Sequence, residues 1–139
     1  MKKISSLLIL SIVLFNQLIL VEAQSEISLK GEWMFRLDSS DIGTRDHWFT
    51  QSFSDKVILP GSLDEQGIGV PPTEINMGRL TSDTRYVGVA WYQKKVNIPE
   101  DWKDKRICFF LERAMWETQV FVDGIYQDTR NSLSVPHIY

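Results

Sequence analysis

The chain has 139 residues, with 15 Lys and Arg against 18 Asp and Glu, for a formal charge of −3. That mild acidity argues against nucleic acid or an anionic membrane as a partner, because both favour basic patches. Cys108 is the only cysteine, so no internal disulfide can form. Its apolar setting, Ile107-Cys108-Phe109-Phe110-Leu111, predicts an inert buried thiol.

The first 23 residues read as a secretory signal peptide. Lys2 and Lys3 form a basic start, and residues 7–15 are an apolar run broken only by Ser11. The run is too short to cross a bilayer as a permanent helix. Val21-Glu22-Ala23 fits a cleavage site that leaves Gln24 as the new N-terminus. The protein is therefore expected to be exported, to the periplasm or beyond, with no membrane partner once the signal is cut.

Strand patterns dominate residues 24–139. Trp33, Phe35 and Leu37 alternate with Met34, Arg36 and Asp38, the period of a half-buried strand. Residues 56–59 predict a short strand stopped by Pro60-Gly61. Residues 61–83, with Gly61, Gly67, Gly69, Pro71 and Pro72, predict a long loop. Residues 86–98 predict a strand, with Lys94 and Lys95 carried towards solvent. Pro99-Glu100-Asp101-Trp102 predicts a turn or one helical turn. Residues 106–112 are apolar on both faces, as in a strand at the middle of a sandwich. Residues 118–122 predict another strand, and Asp123-Gly124 a tight hairpin into Ile125-Tyr126-Gln127. Short strands without a long amphipathic helix predict an all-β, antiparallel β-sandwich or jelly roll. The expected interior is Trp33, Phe35, Trp91, Phe109, Leu111 and Val120.

Residue types alone declare no active site. His47 and His137 lack metal-ligand spacing, so no metal site and no cofactor are expected. No nucleophile elbow or phosphate loop is present. Asp64-Glu65 is a carboxylate pair, but neighbouring side chains point apart, and glycosidase carboxylates must flank a bond. That pair predicts loop bracing rather than catalysis. The five tryptophans suit both a β-rich core and the stacking of sugar rings.

The order of motifs is more specific than any one of them. Leu29-Lys30-Gly31-Glu32-Trp33-Met34-Phe35 is followed by Ile58-Leu59-Pro60-Gly61-Ser62-Leu63-Asp64-Glu65 and Gly88-Val89-Ala90-Trp91-Tyr92-Gln93-Lys94. Then come Phe110-Leu111-Glu112-Arg113, Trp116-Glu117-Thr118 and Val120-Phe121-Val122-Asp123-Gly124. This series resembles the N-terminal, galactose-binding-domain-like jelly roll of glycoside hydrolase family 2, over about residues 27–139. The similarity is greatest to secreted β-galactosidase- and β-glucuronidase-like enzymes of Bacteroidetes.

The resemblance implies the substrate-side domain of an exo-acting retaining β-glycosidase, with carbohydrate as substrate and downstream immunoglobulin-like and barrel domains as partners. In the family two glutamates of a (β/α)₈ barrel do the chemistry, so no catalytic residue is expected in residues 1–139. The chain is expected to be inactive alone, and incomplete as a domain, because Ile138-Tyr139 reads as the start of a further strand. The other readings are a free-standing non-catalytic carbohydrate-binding module and a contact scaffold. Family galactosidases place a sugar-touching carboxylate in a Gln-Asp-Ser-Arg stretch after the hairpin. Here Gln127-Asp128-Thr129-Arg130-Asn131-Ser132-Leu133 occupies that place. Asp128 matches by local pattern, and Asn131 matches when counted back from Pro136-His137-Ile138-Tyr139. Arg79, Arg85 and Tyr86 lie where another substrate-side loop occurs.

Overall fold

The computed structural model describes residues 25–73 and 82–139. The expected signal peptide and Arg79 lie outside the described residues. Among the described residues seven strands run β1 (Gly31–Asp38), β2 (Asp55–Leu59), β3 (Val89–Gln93), β4 (Phe110–Leu111), β5 (Glu117–Val122), β6 (Ile125–Asn131) and β7 (His137–Ile138). Every strand pairing is antiparallel. The helical elements among the described residues are 3-10 turns of three residues each, at Trp48–Thr50, Asp64–Gln66 and Glu100–Trp102. The chain is thus all-β with antiparallel sheets. None of the described helices is long and apolar enough to cross a membrane.

The described residues form three sheets, ordered β2-β1-β3, β4-β7 and β5-β6. In the first, Trp33 lies opposite Val57, and Phe35 opposite Asp55 and Tyr92. Cross-strand partners share a face, so Phe35 and Val57 are buried together and the Phe35 and Tyr92 rings stack at 6.3 Å. The outer edge of β2 does not go unpaired at Ile58. The Gln66 side-chain amide accepts the Ile58 N–H at 2.7 Å and donates to the Ile58 carbonyl at 3.0 Å. One side chain thereby imitates a neighbouring strand and blunts an edge.

The loop that supplies Gln66 is braced by the two carboxylates in question. Asp64 accepts the Thr84 N–H at 2.7 Å, and Glu65 accepts the Ser62 N–H at 3.1 Å. Both roles are those of loop bracing.

Several expectations need correction. The strand expected over residues 86–98 is limited to Val89–Gln93, because the chain must turn at Pro99 and leaves the sheet after its pairing with Met34. Lys94 is half-buried rather than solvated: its ammonium donates to the Glu32 carbonyl at 2.9 Å and lies 5.4 Å from the Trp33 ring. Residues 106–112 form a ladder only at Phe110–Leu111, continued by backbone bonds between Phe109 and Tyr139. Phe110 and Ile107 are exposed, and so is Cys108. Two apolar faces require cover on both sides, and among the described residues this segment pairs with the two-residue strand β7. Of the expected interior, Phe35 is buried, while Trp33, Trp91, Phe109, Leu111 and Val120 are half-buried. The other core side chains are Trp48, Phe53 and Val57, with Asp38 and His137 as buried polar groups.

Candidate functional site

The face of the first sheet that the alternation assigns to solvent is covered near its end. Asp38 closes β1 there with only 2% of its surface exposed. Its carboxylate accepts the N–H groups of Ile42 (2.9 Å) and Gly43 (2.7 Å) and the Trp91 indole N–H (3.1 Å). Burial pushes the Asp38 pKa up, but these donors outweigh it and hold the group below its ordinary 3.8. Gly43 is required by close approach. A Cβ there would collide with the Trp91 indole and sit 2.8 Å from Asp38 Oδ2.

The anchored loop then winds tightly, with Asp46 N–H to the Ile42 carbonyl and Trp48 N–H to the Gly43 carbonyl, both at 2.8 Å. This delivers Trp48 and Phe49 to one place. Trp48 packs under the Arg36 guanidinium at 3.8 Å, and Phe49 stacks flat on Phe121 of β5, centroids 4.5 Å apart. Trp91 and Tyr126 each lie 5.6 Å from Phe121. An aromatic seam therefore joins the first sheet to the hairpin β5–β6.

The hairpin itself has two distinct faces. Asp123 (φ 50°) and Gly124 (φ 78°) both take left-handed conformations, the pair that a two-residue primed turn demands. The register pairs Glu117 with Asn131, Gln119 with Thr129, and Phe121 with Tyr126. It also pairs Thr118 with Arg130, Val120 with Asp128, and Val122 with Ile125. A shift between Val120 and Phe121 makes Gln127 the extra residue of a bulge. Alternation then places Glu117, Gln119, Phe121, Tyr126, Thr129 and Asn131 on one face, and Thr118, Val120, Val122, Ile125, Asp128 and Arg130 on the other. The side-chain bonds agree. Asn131 donates to Glu117 at 3.2 Å and Tyr126 bonds Thr129 at 2.8 Å on the first face, while Arg130 pairs with Asp128 at 2.7 Å on the second.

The second face docks on the chain's C-terminal strand. His137 is buried, with Nδ1 2.6 Å from the Thr118 hydroxyl and Nε2 3.0 Å from the Ser132 carbonyl. A carbonyl only accepts, so Nε2 carries a proton. The Tyr139 hydroxyl bonds Thr118 through both its side chain and its carbonyl. Arg130 lies over the Tyr139 ring at 5.7 Å and donates to the Ile138 carbonyl at 3.2 Å.

The expected sugar contacts therefore separate. Asp128 and Asn131, alternatives for one role, stand on opposite faces of β6. Asp128 is half-buried and occupied by Arg130 and the Thr129 N–H (2.8 Å), whereas Asn131 is exposed. Arg85 pairs by backbone with Val70 and has an exposed side chain. The Tyr86 hydroxyl accepts the Asp38 N–H at 3.0 Å and donates to the Val89 carbonyl at 2.6 Å, which clamps β1 to β3. Burial raises the Tyr86 pKa above 10.0, keeping that donor protonated. No hydrogen bond among the described residues links Arg85 or Tyr86 to Asp128 or Asn131. Sequence reasoning passed over Glu117, Gln119 and Tyr126. The Asp123-Gly124 hairpin signals Tyr126 opposite Phe121, but Glu117 and Gln119 share a face with Asn131 only through the bulge at Gln127.

Comparisons with known proteins place this geometry in context. Residues 27–135 match the family described as glycosyl hydrolases family 2, sugar binding domain. A β-glucuronidase of Paenibacillus borealis is 23% identical over 97 residues, covering 70% of this chain and 15% of that protein. Among solved structures, β-glucuronidase from Ruminococcus gnavus with D-glucaro 1,5-lactone superposes with a TM-score of 0.64 at 19% identity, over 81% of this chain and 18% of that one. The same enzyme with a C6-substituted uronic isofagomine gives a TM-score of 0.65 at 19% identity, with the same coverage. At that identity the superposition speaks for the fold. The chain thus spans less than a fifth of the length of these relatives.

Proposed function

Since the chain belongs to glycoside hydrolase family 2, through that family's sugar-binding domain, we propose that it is the substrate-side N-terminal domain of an exo-acting retaining β-glycosidase. The supporting observation is the family match over residues 27–135, on a fold shared with β-glucuronidases. In this reading the paired carboxyl groups that a retaining mechanism places about 5 Å apart belong to other parts of the parent protein. The domain's task is to offer polar side chains to the sugar. Asn131 is the better-placed of the two hairpin candidates, because its side chain is exposed and Asp128 is already neutralised by Arg130. Arg85 remains a candidate through its exposed guanidinium, and Tyr86 contributes by holding the segment beside it. Export through the signal peptide suits a substrate met outside the cytoplasm.

The motif resemblance takes in both β-galactosidase- and β-glucuronidase-like enzymes, and the names of the relatives favour a β-glucuronide. The test is to express the full reading frame and, separately, residues 24–139, and to assay both with nitrophenyl β-galactoside and nitrophenyl β-glucuronide. Turnover of one of the two by the full product, with none by residues 24–139, is the expected result. Turnover by residues 24–139 would overturn the assignment of catalysis to other parts of the parent. A full product inert on every nitrophenyl glycoside, yet bound to polysaccharide, would put the non-catalytic binding module in its place.

A further inference from the structure

Away from Phe121, where it meets the first sheet, this face of the hairpin is exposed and carries more sugar-recognition chemistry than Asn131 alone. Resting on the assignment to a sugar-binding domain, we propose that Glu117, Asn131, Gln119, Thr129 and Tyr126 form a strip that binds an uncharged oligosaccharide, several sugar units at a time. The strip has a continuous geometry. Glu117 with Asn131 and Gln119 with Thr129 are successive cross-strand pairs on one face, so they recur about 7 Å apart along the strands. Tyr126 continues the line through its bond to Thr129, and the stacked rings of Phe121 and Phe49 close its end.

The chemistry suits neutral pyranose units. Glu117, Gln119, Asn131 and Tyr126 are exposed and Thr129 half-buried. Between them they offer a carboxylate, two amides and two hydroxyls, which give and accept hydrogen bonds in the mixed pattern that sugar hydroxyls match. Tyr126 adds an exposed ring with a polar tip, able to cover an apolar sugar face while its hydroxyl stays bonded. The bond from Asn131 to Glu117 fixes the amide, so its NH₂ points at the carboxylate and its carbonyl oxygen is left to accept from the ligand. None of the strip's side chains is cationic, and its one charge is negative. That composition disfavours uronate chains and separates the strip's preference from whatever recognises the terminal sugar in the parent.

The test is affinity electrophoresis of the full-length protein through gels containing a neutral β-galactan, a neutral β-glucan or polygalacturonate, with melting curves as a folding control. Retardation by a neutral polymer and none by polygalacturonate is expected, and Gln119→Ala with Tyr126→Ala together should weaken it at least tenfold. Val122→Ala, on the opposite face, should be retarded like wild type. If the double alanine variant fails to fold, Gln119→Glu adds a second carboxylate at nearly unchanged volume and should weaken retardation in the same way. Wild type that migrates freely through every neutral gel, or strip variants retarded like wild type, would overturn the proposal. A protein that hydrolyses nitrophenyl glycosides but is never retarded loses the strip and keeps the proposed function. One that is retarded but hydrolyses nothing keeps the strip and loses the enzyme.

Discussion

Around β1 the chain satisfies its polar groups with its own side chains, whereas from β4 onward it leaves apolar side chains uncovered. Asp38, Tyr86 and Gln66 each make two or more bonds to backbone or indole groups there, and Phe35, Trp48, Phe53 and Val57 are buried among them. In the second region Phe110, Met115, Trp116, Leu133, Val135 and Ile138 are all exposed. Only His137 reaches a comparable burial. The difference teaches where stability is concentrated. Polar groups buried with their partners are costly to disturb, because each orphaned group then bears its full desolvation cost. Exposed apolar side chains have no such debt, and changing them touches the surface alone.

The sharpest way to break this contrast is Asp38→Ala. It would strand the N–H groups of Ile42, Gly43 and the Trp91 indole together, and release the loop that carries Trp48 and Phe49. A loss of roughly 3–5 kcal/mol is expected in urea unfolding of the full-length protein. The same carboxylate sets a pH dependence. Its folded pKa lies below the ordinary 3.8, so its contribution is fully present above that value and drains away as pH falls through the lower folded one. Melting curves between pH 6 and pH 2 should therefore steepen below about pH 4, and Asp38→Asn should flatten that segment. An unchanged profile in the Asn variant would move the acid sensitivity to other carboxylates.

A second change sharpens the comparison within the same node. Gly43→Ala puts a methyl group into the space held by the Trp91 ring. Overpacking of this kind costs about 1–3 kcal/mol, less than removing the carboxylate because a shift of the ring disturbs the Trp91 bond while Ile42 and Gly43 still donate to Asp38. Tryptophan emission should report the displaced indole. A variant as stable as wild type, with unchanged emission, would show that the pocket accommodates the methyl group without moving the ring.

Much of this fold was legible, and the failures share a cause. Period-two alternation found β1, and Asp123-Gly124 found the hairpin, because local sterics decide both. Alternation assigns Asp38 to the solvent side, because it says which face a residue takes and not whether that face is later covered. What covers it is the 42–50 loop, which Asp38 itself anchors through the Ile42 and Gly43 N–H groups. Residues 106–112 predict a central strand through their hydrophobicity, and hydrophobicity does not tell a covered strand from an exposed one. At the site, similarity to a family motif named Asp128 and Asn131 together. Alternation alone separates them, but which one joins Glu117 and Gln119 is decided by the bulge at Gln127, since an unbroken register would put Asp128 there.

The smallest effect is expected where exposure is greatest. Met115 has 90% and Leu133 73% of its surface accessible, so replacing either by serine removes almost no buried area. At about 25 cal/mol per Å² of apolar area buried, nothing beyond roughly 0.5 kcal/mol in either direction follows for folding. Association is another matter. Contiguous exposed apolar surface draws copies of a chain together, so the pair Met115→Ser and Leu133→Ser should lower the light scattering of residues 24–139 while leaving a melting midpoint, where one is measurable, in place. The two readouts divide the possibilities. Scattering that falls with an unchanged midpoint keeps the contrast between a closed first region and an open second one. A midpoint that drops by several degrees would mean that Met115 and Leu133 are packed in solution, and that the second region closes on itself much as the first does.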